Sequence, residues 1–94
     1  MTDSGKGAVK TAIERKLQAA FSPSRLAVVD ESHLHAGHRH SHPDGESHFR
    51  VEIESEAFRG QSRVMRHRRV HEILADELAD RVHALALSLK APGE

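Results

Sequence analysis

The chain has 94 residues, with 14 lysines and arginines against 14 aspartates and glutamates, a formal net charge of zero and no cysteine. That length makes one domain, with a modest core that buries roughly 60–70% of the extended surface. Zero net charge excludes a protein that coats nucleic acid, and the absence of cysteine excludes a disulfide framework, zinc fingers, thioredoxin-like redox motifs and cysteine hydrolases.

The opening stretch, Met1 to Gly7, is polar and lacks the apolar centre of a signal peptide. Val9, Ile13, Leu17 and Phe21 then recur at four-residue steps, with Lys10, Glu14, Arg15, Lys16 and Gln18 on the other faces. This spacing predicts an amphipathic helix over about 6–21. Ser22-Pro23-Ser24 ends it, because proline cannot continue the hydrogen-bond ladder.

Leu26-Ala27-Val28-Val29 is a short β-prone run within residues 25–30. Phe49, Val51 and Ile53 alternate with Arg50, Glu52 and Glu54, a period of two that predicts a half-buried strand with one wet face. The polar stretch between these runs, within 31–47, is too long for a tight hairpin, and such loops in compact domains are often functional.

Helical spacing returns in Val64, Val70, Ile73, Leu74 and Leu78, over about 62–80, with a kink or junction expected at Arg66-His67-Arg68-Arg69. The run 82–89 places His83, Leu85, Leu87 and Leu89 against Val82, Ala84, Ala86 and Ser88, and predicts a third strand whose other face is small enough to be covered closely. A helical connection lets the last two strands lie parallel, and the first two can pair antiparallel. The expected product is a single two-layer α+β domain over 1–94, with an ordered core at about 6–90. No apolar run reaches the roughly 18 residues of a membrane span, so a soluble cytoplasmic protein is expected.

Three stretches carry chemistry. Of the nine histidines, His33, His35, His38, His40, His42 and His48 crowd one segment. Neutral imidazole is a good ligand for iron, zinc, copper and nickel. The same segment also fits a solvated loop that takes up zinc, nickel or cobalt adventitiously, because alternation alone sets no ligand geometry. His83 stands at a strand entrance, where a histidine is, on sequence alone, more often a hydrogen-bonded structural residue than a ligand. The third stretch is basic: from Ala57 to Leu74, Arg59, Arg63, Arg66, Arg68 and Arg69 stand against Glu72 alone, whereas Asp30 to Glu56 holds seven acids against Arg39 and Arg50. Arg63, Arg66, His67, Arg68 and Arg69 could meet phosphates, or form a solvated helix face. His67 and His71 share a helical face but lack the glutamate of a His-Glu-x-x-His site. No nucleophile elbow, phosphate-cradling glycine loop or paired-carboxylate signature occurs, so no enzyme is expected.

Asp30-Glu31-Ser32, Gly45-Glu46-Ser47-His48-Phe49, Phe58-x-Gly60, Arg66-His67-Arg68-x-Val70 and Val82-His83-Ala84-Leu85 run collinearly through residues 9–90 and together resemble the BolA family. The resemblance implies a helix–strand–strand–helix–helix–strand fold similar to the class II KH arrangement. It implies a monothiol glutaredoxin with a Cys-Gly-Phe-Ser site as partner, and a [2Fe–2S] cluster bridged between the two chains. The glutaredoxin and a bound glutathione would supply sulfur, and this chain would supply His83 plus a loop histidine. His35, four positions after Glu31, matches the family's loop ligand best, with His33 as the alternative. Two imidazoles on one iron resemble a Rieske centre, whose neutral ligands raise the potential, and protonation would compete with the metal. Some members resemble transcription factors, so DNA contact through the arginines is the second expectation. Few aromatics and the lack of a Gly-x-x-Gly clamp stand against it. A monomer or a weak homodimer is expected.

Overall fold

The computed structural model describes residues 7–32 and 47–94. Helix α1 spans Ala8–Phe21, strand β1 Arg25–Asp30, strand β2 His48–Glu54, helix α2 Arg63–Ile73, helix α3 Ala75–Ala79 and strand β3 Ala84–Lys90, with a 3₁₀ turn at Glu56–Phe58. The strands form one sheet in the order β1-β2-β3. β1 pairs antiparallel with β2, and β2 pairs parallel with β3. This is the mixed three-stranded α+β arrangement expected from the element order. Among the described residues no helix is long and apolar enough to cross a membrane.

The periodicities explain which face each element buries. Ile13, Leu17 and Phe21 of α1 sink into the core, at 0%, 0% and 3% exposure. Phe49, Val51 and Ile53 meet them from the middle strand, while Arg50 and Glu52 stay in water. Register carries this face across the sheet, since Val51 lies opposite both Val28 and Leu87. Phe58, Val70, Leu74 and Val82 close the core from the crossover side.

Ser22 ends α1 in a left-handed conformation, its N–H donating to the Gln18 carbonyl at 3.0 Å, before Pro23 forbids a further turn. Nearby, buried Ser55 ties three elements together. Its hydroxyl donates to the Phe21 carbonyl at 2.6 Å and accepts from the Ala57 N–H at 3.1 Å. Its own N–H donates to the Lys90 carbonyl at 2.9 Å.

Two expectations need correction. The helical junction falls at Leu74, not at Arg66–Arg69. Arginine is a good helix former, so those residues give the backbone no reason to break. Leu74 leaves helical geometry at φ −99° and ψ 21° while its side chain is buried to 1% exposure. Past the bend, Glu77 of α3 reaches back to Lys16 of α1, whose ammonium lies 2.8 Å from the carboxylate. The small-residue face of β3 is not covered either. Ala84, Ala86 and Ser88 are exposed, because the helices of the described residues pack on the face that carries Leu85, Leu87 and Leu89. Val82 is buried, but it precedes the strand.

The two faces should respond differently to substitution. Leu17→Ala opens a cavity in the core and should cost about 2–5 kcal/mol in urea unfolding. Ala86→Thr, on the open face, should change stability by no more than about 0.5 kcal/mol. A loss well above that for Ala86→Thr would show that something covers this face.

Candidate functional site

The candidate site is where the start of β2, the approach to β3 and the two feet of segment 33–46 meet. Parallel pairing sets it up: His48 is opposite Ala84, so His83, one residue before β3, arrives beside the first residues of β2. The His83 N–H donates to the Ser47 carbonyl at 2.7 Å, and the Ala84 N–H reaches the same oxygen at 3.2 Å. The His48 and His83 rings then lie 6.5 Å apart between centroids, inclined at 55°. The His83 side chain is exposed and His48 is half-buried.

A serine pair fixes the feet of the segment. Ser32 and Ser47 are both buried, at 5% and 0% exposure. The Ser32 hydroxyl oxygen accepts from the Ser47 N–H at 2.9 Å and from the His48 N–H at 3.1 Å. Ser32 is itself held by its N–H, which donates to Asp30 Oδ1 at 2.9 Å. On the other side, Ser47 Oγ lies 2.8 Å from His48 Nδ1, so one ring nitrogen of His48 is engaged within the protein. A further strand-like bond runs from the Glu31 N–H to the His48 carbonyl at 2.8 Å. Serine suits these places because each buried backbone N–H without a partner would cost about 1–3 kcal/mol, and a hydroxyl is a compact acceptor.

Charge around the site is paired. Arg50 Nε donates to Glu31 Oε2 at 2.9 Å, and that bond raises the guanidinium pKa above its ordinary value. Among the described residues, no three or more histidine, cysteine, aspartate and glutamate side chains gather closely enough to hold a metal ion.

The expected residues are placed as follows. His83 stands exposed at the site. His35 and His33, with His38, His40 and His42, lie outside the described residues. His48 belongs to the site but was absent from the expected ligand set. The sequence places a histidine at each of two strand entrances, and only the parallel pairing brings them side by side. His71 is exposed, and the Nδ1 of half-buried His67 lies 2.9 Å from the Arg63 carbonyl.

The basic stretch divides into two sets. Arg69 is committed inside the fold: Nη1 donates to the Ala57 carbonyl at 2.9 Å and to Gln61 Oε1 at 3.0 Å, and the guanidinium sits 5.1 Å from the Phe21 ring centroid. Arg66 is committed likewise, with Nε donating to the Gln61 carbonyl at 2.9 Å and its fork gripping Glu94. Arg63 and Arg68 remain exposed, next to exposed Val64 and Met65.

Ser32→Ala leaves the Ser47 and His48 N–H groups without their hydroxyl acceptor. Stability should fall by about 1–3 kcal/mol, and amide exchange should accelerate at Ser47 and His48 more than in α1. Unchanged exchange at those two amides would contradict the role given to this serine.

A model of the BolA-like protein family matches residues 17–94. An uncharacterized protein in the cobS 5′ region of Sinorhizobium sp is 53% identical over 83 residues, covering 87% of this chain and 89% of that one. The DNA-binding transcriptional regulator BolA of Escherichia coli is 49% identical over 80 residues, covering 84% of this chain and 71% of the relative. Among solved structures, BolA1 from Arabidopsis thaliana superposes with a TM-score of 0.81 at 36% identity, covering 92% of this chain and 94% of that chain. The family match spans most of the chain and the fold agrees with it: the chain belongs to the BolA family, a non-enzymatic one.

Proposed function

We propose that this protein is an adaptor that binds a monothiol glutaredoxin and shares a bridged [2Fe–2S] cluster with it, for iron–sulfur trafficking or for iron and redox regulation. It would act in the cytoplasm, as a monomer or weak homodimer when alone. The observation that carries this reading is the exposed His83 imidazole, held by its backbone against the Ser47 foot of segment 33–46.

His83 and His35 would be this chain's ligands, with His33 as the alternative to His35. Chain connectivity supports either choice. In the sequence His33 and His35 follow Ser32 by one and three residues, and Ser32 is fixed by its hydrogen bonds. The donor chemistry also fits. Imidazoles are acceptable cluster ligands, and two of them would leave the sulfur positions to the partner's thiolates. The cluster, when bound, would supply an electron-accepting centre of higher potential than an all-thiolate one. His83 would orient one nitrogen toward the shared edge, and His48 keeps a further imidazole beside it.

The test is anaerobic co-purification with a monothiol glutaredoxin and glutathione, followed by absorption and circular dichroism spectra. His83→Ala should abolish or shift the histidine-dependent bands while far-ultraviolet dichroism still reports a folded chain. Single His33→Ala and His35→Ala variants then identify the loop ligand. A spectrum unaltered by His83→Ala would sink the ligand assignment.

A second reading rests on the names of relatives, since the Escherichia coli and Haemophilus influenzae proteins are called DNA-binding transcriptional regulators. Exposed Arg63 and Arg68 on α2 are the residues that could meet phosphate. If both do, replacing them should lower the slope of log binding constant against log salt by about two, with little change between DNA sequences. An unchanged slope would remove Arg63 and Arg68 from any DNA interface.

A further inference from the structure

Arg66 is built like a receptor for an oxyanion. Its guanidinium is set in place by groups that belong to the frame of the fold. Nε donates to the Gln61 carbonyl at 2.9 Å, Nη1 donates to the Leu89 carbonyl at 3.2 Å, and the Phe58 ring centroid lies 6.0 Å away. Only 12% of the side chain remains accessible. What the fork faces is the Glu94 carboxylate: Nη1 donates to Oε1 at 2.6 Å and Nη2 to Oε2 at 2.8 Å. A third donor converges on the same group, the Ala91 N–H, 2.9 Å from Oε1.

The carboxylate arrives there by a turn with its own sequence logic. Ala91-Pro92-Gly93-Glu94 closes with a bond from the Glu94 N–H to the Ala91 carbonyl at 3.1 Å. Proline suits the second position of such a turn, and the third needs positive φ. Gly93 takes φ 88°. Arg59 steadies the turn from outside, donating through Nη2 to the Pro92 carbonyl at 2.7 Å while also holding Glu56. The consequence for Glu94 is large. The Arg66 fork, the Ala91 N–H and the nearby Arg59 charge hold its carboxyl down at about 2.

We propose that Arg66 and the Ala91 N–H form a phosphate-binding site that Glu94 occupies in cis, so that segment 91–94 is a displaceable plug. Glu94 is 37% accessible and sits on a short turn, whereas the donors that grip it are anchored by the core. Swinging the carboxylate out takes from the Arg66 fork the group it faces, while Glu56 stays on Arg59. A bidentate guanidinium fork with a backbone N–H matches the oxygen geometry of a phosphate group as well as that of a carboxylate. The shared ligand chemistry is a phosphate oxyanion, either free or carried by a polynucleotide.

The probe is inorganic phosphate, titrated into uniformly labelled protein while the Ala91 amide and the Arg66 Nε–H are followed by NMR. Glu94→Gln should make both signals move saturably, with at least tenfold tighter apparent binding than in the unaltered chain. Arg66→Lys placed on top of Glu94→Gln keeps the charge but loses the fork, and should erase the gain. A parallel titration with a short single-stranded oligonucleotide separates the sources: a similar gain there assigns backbone phosphate, and a gain with inorganic phosphate only assigns a terminal phosphate group. If Glu94→Gln, still folded by far-ultraviolet dichroism, binds phosphate no better than the unaltered chain, the plug does not exist. This outcome is independent of the cluster reading, since neither His83 nor the glutaredoxin enters the measurement.

Discussion

The parallel pairing of β2 with β3 is the constraint on which the rest of the structure depends. A parallel neighbour cannot be reached by a tight turn, so the chain must cross over the sheet, and α2 and α3 are that crossover. The crossover places Phe58, Val70, Leu74 and Val82 over the inner face, where they complete a core that α1 alone would leave open. The same pairing makes two strand entrances, at His48 and just after His83, start side by side. Core and candidate site are thus two results of one hydrogen-bond ladder.

Stability and function are kept apart by the two-layer plan. Among the described residues the helices pack on one face, and the apolar periodicity of α1 and β2 is spent there. The residues of the candidate site stand at the rim, where a strand begins or a segment leaves the sheet. Polar groups that do enter the interior are few and placed at junctions. Ser32 and Ser47 satisfy backbone donors at the feet of segment 33–46, and Ser55 does so where α1, β2 and β3 converge. Each is a short side chain that meets the need of nearby backbone groups without opening a cavity.

The basic stretch shows why charge counted along a chain overstates the charge offered to a partner. Five arginines in a short window read as one patch. Folding turns Arg59, Arg66 and Arg69 inward or sideways onto carbonyls, carboxylates and aromatic rings. Long stems let these side chains lie over Phe58 and Phe21 while their heads stay hydrogen-bonded. Arg63 and Arg68 stay exposed on α2, whereas Arg59, also exposed, is tied to Glu56 and to the Pro92 carbonyl.

Much of the fold was legible in the residues. The four-residue steps of α1, the proline that stops it, the alternation of β2 and the helical spacing before β3 all follow from local periodicity, which one stretch of chain carries by itself. The place of His83 at the entrance of the last strand was legible too. Three things were not: that β3 leaves Ala84, Ala86 and Ser88 uncovered, that the helix bends at Leu74, and that His48 stands against His83. Each depends on contacts between residues distant in sequence. An alternating strand shows that it has two faces but not which neighbour lies on either, and only register, set when the whole core packs, decides which side chains meet.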